Sequence, residues 1–549
     1  MPNFEKTEVF LSDLKLFDKL ILDYLTKSIK TPDLTSFAPD LDGLIQNLAS
    51  GKKAGIDRHL LVTVLKEQYS YIESSTEKDE VFEQIDLLEK EDTFTVCTGH
   101  QLNLFSGPLY TILKIITTIN SAKELSRKSG KKVIPIYWLA SEDHDIEEIN
   151  HVFVHNQKYV WSTTWHGPSG RVSCEGIQEV ISVLRTKYGN AEFGNEVFDL
   201  LETSYQSNFT LAQATRRLLH KLFGHHGLII LDADDVRLKK TFIPHMLNDA
   251  LHNIAEKKVT ETTDKLSAHY KIQVHPRKVN LFYLYGDKRE RIEVVGDGLT
   301  AVGTEITWTK KSFEEEVTLH PDRFSPNVVL RPLYQETILP NIAMIGGPAE
   351  IAYWLELRAF FQISKVAFPV LLLRNSAMFL DEPSLIRMKK LKIGIEKLFL
   401  SVDVWIRDYI SASPDSTFSI EEKLQNIDQI FQSLGNDADK IDHTLKSTIE
   451  AEQHRIRKSM KGIEEKLLRS LKRKNETEIN QIYKLHEKLF PFEKLQERTE
   501  NILPFLLKYG FNFIDELIKE LEPFKNSIVI FEEHVKAEAG KLKSINGLP

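Results

Sequence analysis

The 549-residue sequence predicts an α/β fold: a parallel-sheet core, two inserted segments and a helical C-terminal arm. Three observations carry that expectation. Short, almost wholly apolar runs alternate with stretches of helical periodicity, the grammar of βαβ units. Two of those runs end in glycine-bearing turns, Thr98-Gly99-His100-Gln101 and Gly346-Gly347. Each leads to a helix start carrying Pro, which suits a first turn because it needs no backbone donor there. Beyond Pro383 the composition shifts to Lys, Glu, Leu and Ile with almost no strand signal.

Taken in order, residues 1–92 read as a helical lead-in, because Phe10, Leu14, Phe17 and Ile21 follow three- and four-residue spacing. Residues 93–97 are β-prone. After Ser106-Gly107-Pro108 the stripe Leu109, Ile112, Leu113, Ile116 and Ile119 predicts a helix, which Arg127-Lys128-Ser129-Gly130 ends. Residues 133–139 are nearly continuous in apolar character, as in a strand covered on both faces.

The core is expected over 93–382, with insertions near 151–226 and 240–330. The first holds a β ribbon at 159–165 and helices within 177–223; the second holds a long helix and β runs at 280–285 and 291–295. Core strands resume at 227–232, 341–345 and 368–374. Residues 383–549 form the helical region. There Ile449, Ile456, Met460, Ile463 and Leu467 mark a coiled-coil seam between about 437 and 489, and Pro491 closes it. A hairpin within one chain and a seam between two chains fit this pattern equally.

A formal net charge of −8 argues against a general nucleic-acid-binding surface,. The opening Met1-Pro2-Asn3-Phe4-Glu5 lacks a basic stretch followed by an apolar one, and no apolar run reaches membrane-spanning length. With two cysteines, Cys97 and Cys174, no disulfide framework is expected, and a reducing, cytoplasmic setting follows,.

Three constellations can carry chemistry. In the first, His100, Gln101, Ser106 and Gly107 surround a helix start whose free amides suit an anion, although an ordinary turn fits as well. It is neither a P-loop nor a dinucleotide fingerprint. In the second, Glu142, Asp143, His144 and Asp145 crowd the end of a strand, where carboxylates can orient an amine or a metal and a His can move a proton. A solvated acidic helix start is the plainer alternative. In the third, Arg331 and Gln335 stand in a polar turn before Gly346, Gly347 and Glu350, with Arg374 further on, a set suited to carboxylate or phosphate oxygens. A tightly packed βα unit is the alternative there. His100, His144, His151 and His155 match no zinc spacing, so no metal site is expected, and Cys97 reads as a buried strand residue. The basic run Arg469, Lys472, Arg473 and Lys474 reads as the wet side of the coiled coil.

At these motifs the chain resembles the cysteine-adding enzymes of bacillithiol biosynthesis. The resemblance rests on Thr98-Gly99-His100-Gln101 with Phe105-Ser106-Gly107-Pro108, on Trp138-Leu139-Ala140-Ser141-Glu142-Asp143-His144-Asp145, on Arg331-Pro332-Leu333-Tyr334-Gln335-Glu336-Thr337, and on Gly346-Gly347-Pro348-Ala349-Glu350. His100 departs from the family pattern, where Gln is common, and so does Ala349, where Gly is common. The resemblance implies a Rossmann-like core of class I aminoacyl-tRNA synthetase type, two connecting segments and a coiled coil that promotes a homodimer. It also implies ligation of L-cysteine to glucosaminyl-malate, the last step of the pathway, with neither nucleic acid nor membrane as partner. Carboxyl activation then calls for ATP or another nucleotide, with magnesium admitted. Asp143, His144 and Asp145 are the catalytic candidates; Arg331 and Arg374 are the candidates for malate carboxylates or phosphates. Another aminoacyl- or nucleotidyl-transferring enzyme on the same core, or a non-catalytic coiled-coil scaffold, are the competing readings.

Overall fold

The computed structural model describes residues 4–533 apart from 15, 52–54, 73–75 and 413–419. The chain's first three residues and residues 534–549 of the expected helical arm therefore lie outside the described residues. Five core strands, β1 (Thr93–His100), β2 (Lys132–Leu139), β3 (Ile229–Asp232), β4 (Asn341–Gly346) and β5 (Val370–Leu373), lie in the order β5-β4-β1-β2-β3. Every neighbouring pair is parallel. This is the Rossmann-like order: the chain starts mid-sheet, runs outward one way and then the other. It leaves a crevice at the carboxyl ends of β1 and β4, where the direction reverses.

The strands form because their residues are apolar on both faces. Val96, Val133, Ile342, Ile345, Val370 and Leu372 pack with Ala122 and Leu125 on one helix and Leu44 and Leu48 on another. Each fully buried side chain of this size contributes roughly 1.5–3 kcal/mol. Hydroxyls reinforce the switch point: Thr98 donates to the Ile345 carbonyl at 2.8 Å, and Thr95 to Asn341 Oδ1 at 3.2 Å. Helix α1 (Leu109–Ser129) connects β1 to β2 and stops at Gly130, whose φ of 68° is the left-handed cap,.

Three local expectations need correction. Phe4–Phe10 is a strand, not a helix; its β-branched Thr7 and Val9 favour extended backbone, and helices begin only at Lys19–Leu25. The ribbon pairs His151–Val154 with Gln157–Val160, so it ends before Trp161. His155 and Asn156 take positive φ (51° and 60°), making the tight turn that sets this register. Residues 331–337 form no polar turn but lie in helix α2 (Leu330–Ile338). Asn327 Oδ1 caps its start by accepting from Val329 and Leu330 amides, and Pro332 sits where no intrahelical donor is required,.

The first insertion continues through helices Ile177–Tyr188, Gly194–Ser204 and Leu211–Phe223. The second carries helices Val236–His252 and Ile254–Ser267 and an antiparallel sheet that includes Leu281–Tyr285, Lys288–Val295 and Phe324–Pro326. After β4 comes helix α3 (Pro348–Glu356).

The chain divides into two compact units. Lys6–Met378 with Gln496–Phe531 form the first, and Phe379–Leu495 the bulk of the second. Within the second, Leu445–Lys474 folds back on Ile420–Ile441, and Gln453 and Arg457 both reach Asp428. The hairpin thus exists within one chain, yet Ile456, Ile463 and Leu467 of the expected seam stay 37–45% exposed. Arg469, Lys472, Arg473 and Lys474 are exposed, as expected of a wet face. Among the described residues no helix is long and apolar enough to cross a membrane.

Candidate active site

A cavity of about 660 Å³ opens at the carboxyl ends of β1, β2 and β4, entirely within the first unit. Its floor is the switch point itself. Gly99 passes so close to β2 that a Cβ would meet the Trp138 carbonyl at 2.9 Å, so only glycine fits,. Beside it the His100 Nε2 bonds the Tyr110 hydroxyl at 2.9 Å. Burial, helped by the charge of Lys114, pushes the His100 pKa down to about 3. The ring is therefore neutral and offers what a Gln amide offers: an uncharged polar contact.

Lys114 was not foreseen as a site residue. It is wholly buried on α1 and donates to the Gly99 carbonyl (2.5 Å) and to both Glu350 oxygens (3.0 and 2.8 Å). Glu350 also accepts from the Gly347 amide at 2.9 Å. Burial disfavours the carboxylate, but Lys114 and that amide outweigh it and hold the Glu350 pKa below its ordinary value. Glu350 thus caps α3 and balances a buried cation, instead of standing free for a ligand.

One wall is the turn after β2. Glu142 pairs with buried Lys239 at 2.6 Å, which also holds Asp234 at 2.8 Å. Asp143 accepts from Gln101 Nε2 at 2.7 Å and from the His144 amide at 2.9 Å. Although burial opposes ionisation, the bonds from His144 and Gln101 and the charge of Arg289 depress the Asp143 pKa well below the carboxylate range. It is an anion at any physiological pH. Arg289, another unforeseen residue, reaches over this turn from the second insertion. Its Nη1 lies 3.2 Å from His144 Nδ1 and 3.7 Å from Asp143 Oδ1, and its guanidinium stacks on Phe282 at 3.9 Å. Since guanidinium only donates, Nδ1 of His144 is the acceptor in this contact,.

The opposite wall is cationic. Arg331 donates to Gln335 Oε1 at 3.1 Å and to the Tyr353 hydroxyl at 3.4 Å, between the rings of Trp138 and Trp354. Among the described residues no carboxylate pairs with it. Gln335 itself does not line the cavity; it is buried and orients Arg331. Arg374 lines the cavity but is already neutralised, by a 2.6 Å bond to buried Glu497. Arg277, His275 and Arg498 supply exposed groups at the rim.

Besides Gln335, four expected residues lie outside the cavity lining: Asp145, Ser106, Gly107 and Gly346. Asp145 is exposed and caps the short helix Ile146–Ile149 by accepting from Glu148. Ser106 and Gly107 stand at a helix start that the chain itself occupies. The Leu109 amide donates to the Glu500 carbonyl at 2.7 Å, and Asn501 Nδ2 donates to the carbonyls of Phe105 and Gly107. An anion has no access there. Gly346 is a buried strand residue whose carbonyl accepts from the Arg374 amide.

The donor set also bears on metals. Glu142, Asp143 and Glu350, the carboxylates lining the cavity, are each tied to a cation. Such a set does not fit a hard divalent ion held by protein oxygens alone. Cys97 is fully buried, and burial pushes its thiol far up, which is unsuited to a nucleophile,.

The fold and this cavity define a class: a Rossmann-like protein with a crevice of acidic and basic side chains at its topological switch point and a helical coiled-coil unit. Residues 6–375 match the family model "Bacillithiol biosynthesis BshC, N-terminal Rossmann-like domain", and residues 377–533 match "Bacillithiol biosynthesis BshC, C-terminal coiled-coil domain". The chain belongs to the bacillithiol biosynthesis BshC family. It is 39% identical over 523 residues to a protein of Christiangramia forsetii named "Putative cysteine ligase BshC", covering 94% of this chain and 96% of that relative. Proteins of the same name from Flavobacterium psychrophilum and Bacillus cytotoxicus are 38% and 27% identical, covering 94% and 91% of this chain and 97% and 95% of theirs.

Proposed function

We propose that this chain is a cytoplasmic ligase that joins the carboxyl group of L-cysteine to the amine of glucosaminyl-malate, after activation of that carboxyl by ATP or another nucleotide. The observation that carries the reading is Arg331: a guanidinium facing the cavity, sandwiched by Trp138 and Trp354, with no carboxylate partner among the described residues. Such a group awaits an anion from outside, and a malate carboxylate or a phosphate supplies one.

At neutral pH a free carboxylate and an ammonium form an ion pair, not an amide. Activation replaces a carboxyl oxygen's charge with a phosphoryl leaving group; the amine then forms the C–N bond, the leaving group departs with the C–O electrons, and the nitrogen sheds a proton. Asp143 holds the incoming nitrogen as ammonium, which first gives one proton to water to become the attacking amine; the proton shed after attack is the second. His144 takes the proton on Nε2, which requires its own proton to sit on Nδ1. Asp143 Oδ1, 3.6 Å from Nδ1, accepts that proton's hydrogen bond once Arg289 turns to an incoming anion. Substrate binding and base activation are thereby linked. Magnesium enters this reading only as counter-ion to the nucleotide's phosphates.

The reading includes a homodimer formed through the half-exposed row Ile456, Ile463 and Leu467,. The reaction is tested by mass spectrometry of purified protein with cysteine, glucosaminyl-malate and ATP. The expected outcome is the thiol product with stoichiometric AMP or ADP; folded protein that yields neither would refute the ligase reading.

A further inference from the structure

We propose that His225, His226 and Asp515 form a site for one divalent transition-metal ion of the zinc class, separate from the active-site cavity. His225 and His226 occupy the single helical turn Gly224–His226 just before β3. Asp515 comes from helix Asn512–Glu520, on the segment that returns to the first unit. Two remote stretches of chain thus bring three ligands of the right chemical type to one point.

The geometry fits an ion. Asp515 Oδ1 lies 2.8 Å from His226 Nε2 and 3.1 Å from His225 Nε2, and the three ligand atoms all lie within 4.8 Å of one another. A tetrahedral zinc with bonds of about 2.0–2.1 Å holds its ligand atoms roughly 3.3–3.4 Å apart. The two nitrogen–oxygen edges therefore need only a slight spreading to match that tetrahedron. The imidazoles lie with centroids 3.9 Å apart and both turn Nε2 to the same oxygen. Two imidazoles and a carboxylate suit zinc better than magnesium or calcium, which prefer all-oxygen cages. Half-exposed, the cluster leaves the fourth position to water. Lys123 adds positive charge nearby and limits affinity without removing a ligand.

An ion here clips the returning segment to the turn that feeds β3. That segment supplies Glu497 to Arg374 and Asn501 to the start of α1, so the role is structural. Hydrogen bonding alone also joins the triad, and ion uptake distinguishes the two. Untagged full-length protein, stripped with chelator, is titrated with zinc by calorimetry, and its thermal unfolding is followed with and without the metal. One equivalent is expected to bind and to raise Tm by mass action. Asp515→Ala and His226→Ala are each expected to weaken binding at least tenfold while metal-free unfolding stays cooperative. Absence of zinc uptake by the wild type, or equal affinity in both variants, would overturn the site. The result is independent of the ligation assay, which uses other residues.

Discussion

Two arginines at one cavity illustrate how surroundings decide a side chain's role. Arg374 is 5% exposed at its side chain and bonded to Glu497, which is 1% exposed, so the pair is a buried structural element. Replacing Glu497 with Gln leaves a buried guanidinium without counter-charge, which costs about 3–5 kcal/mol. Urea unfolding measures it; a loss below about 1 kcal/mol would show that the pair is not sealed from water. Arg331, by contrast, has spent none of its charge on a carboxylate, and its replacement acts on binding. His144 is a third case. General-base roles are worth about 10²–10⁴ in rate, so His144→Asn is expected to lower ligation turnover by that factor. Unchanged turnover in folded protein would remove His144 from proton transfer.

Among the elements, the start of α1 is tightly constrained. Gly107 has φ 68° and ψ −149°, and a Cβ there would lie 2.5 Å from Asn103 Cβ. Gly107→Ala is expected to destabilise by at least about 1–3 kcal/mol through strain alone, read as a lowered urea midpoint. In the coiled-coil unit, Ile456→Glu with Ile463→Glu places charge on the half-exposed row. Light scattering should then report monomer where the wild type reports dimer; a monomeric wild type would contradict the seam.

These elements also show what was legible in the sequence. The helix starts at Ser106-Gly107-Pro108 and Gly346-Gly347-Pro348 could be read, because proline and glycine act locally. Their occupants could not. Asn501 is 394 residues from Gly107 in sequence, and no local pattern announces such a contact. Arg289 carries no motif and meets His144 across 145 residues only through the second insertion. Lys114 left a trace: one charge inside the otherwise uncharged, mostly apolar run Leu113 to Ile119 must find a buried partner,. The strand at Phe4–Phe10 escapes the helical pattern because the three-and-four spacing runs from Phe10, the residue that ends it.

Over the whole of the first unit, buried carboxylates set the pH response near neutrality, while buried neutral histidines such as His100 act with the opposite sign below about pH 6.5,. Asp249, Glu356 and Glu500 are each raised to about 7, chiefly by burial. Unfolded, such groups ionise near pH 4. Between those values the folded chain binds more protons, so stability is greatest at the acid end and declines until pH passes about 7. Thermal unfolding is expected to show Tm falling from about pH 6.5 to 8, above the range in which the unfolded chain protonates His100 and opposes the trend, and Glu356→Gln is expected to reduce that slope,. A Tm that rises across the same interval would mean that these groups titrate normally.

The central claim is that the switch-point cavity captures its anionic substrate on Arg331. Titration calorimetry of glucosaminyl-malate into wild type and Arg331→Met tests it most directly. Loss of one charge-assisted bond of about 1.5–3 kcal/mol predicts affinity weaker by roughly ten- to a hundredfold, with unfolding of the free protein little changed. Equal affinity in the two proteins would contradict the account.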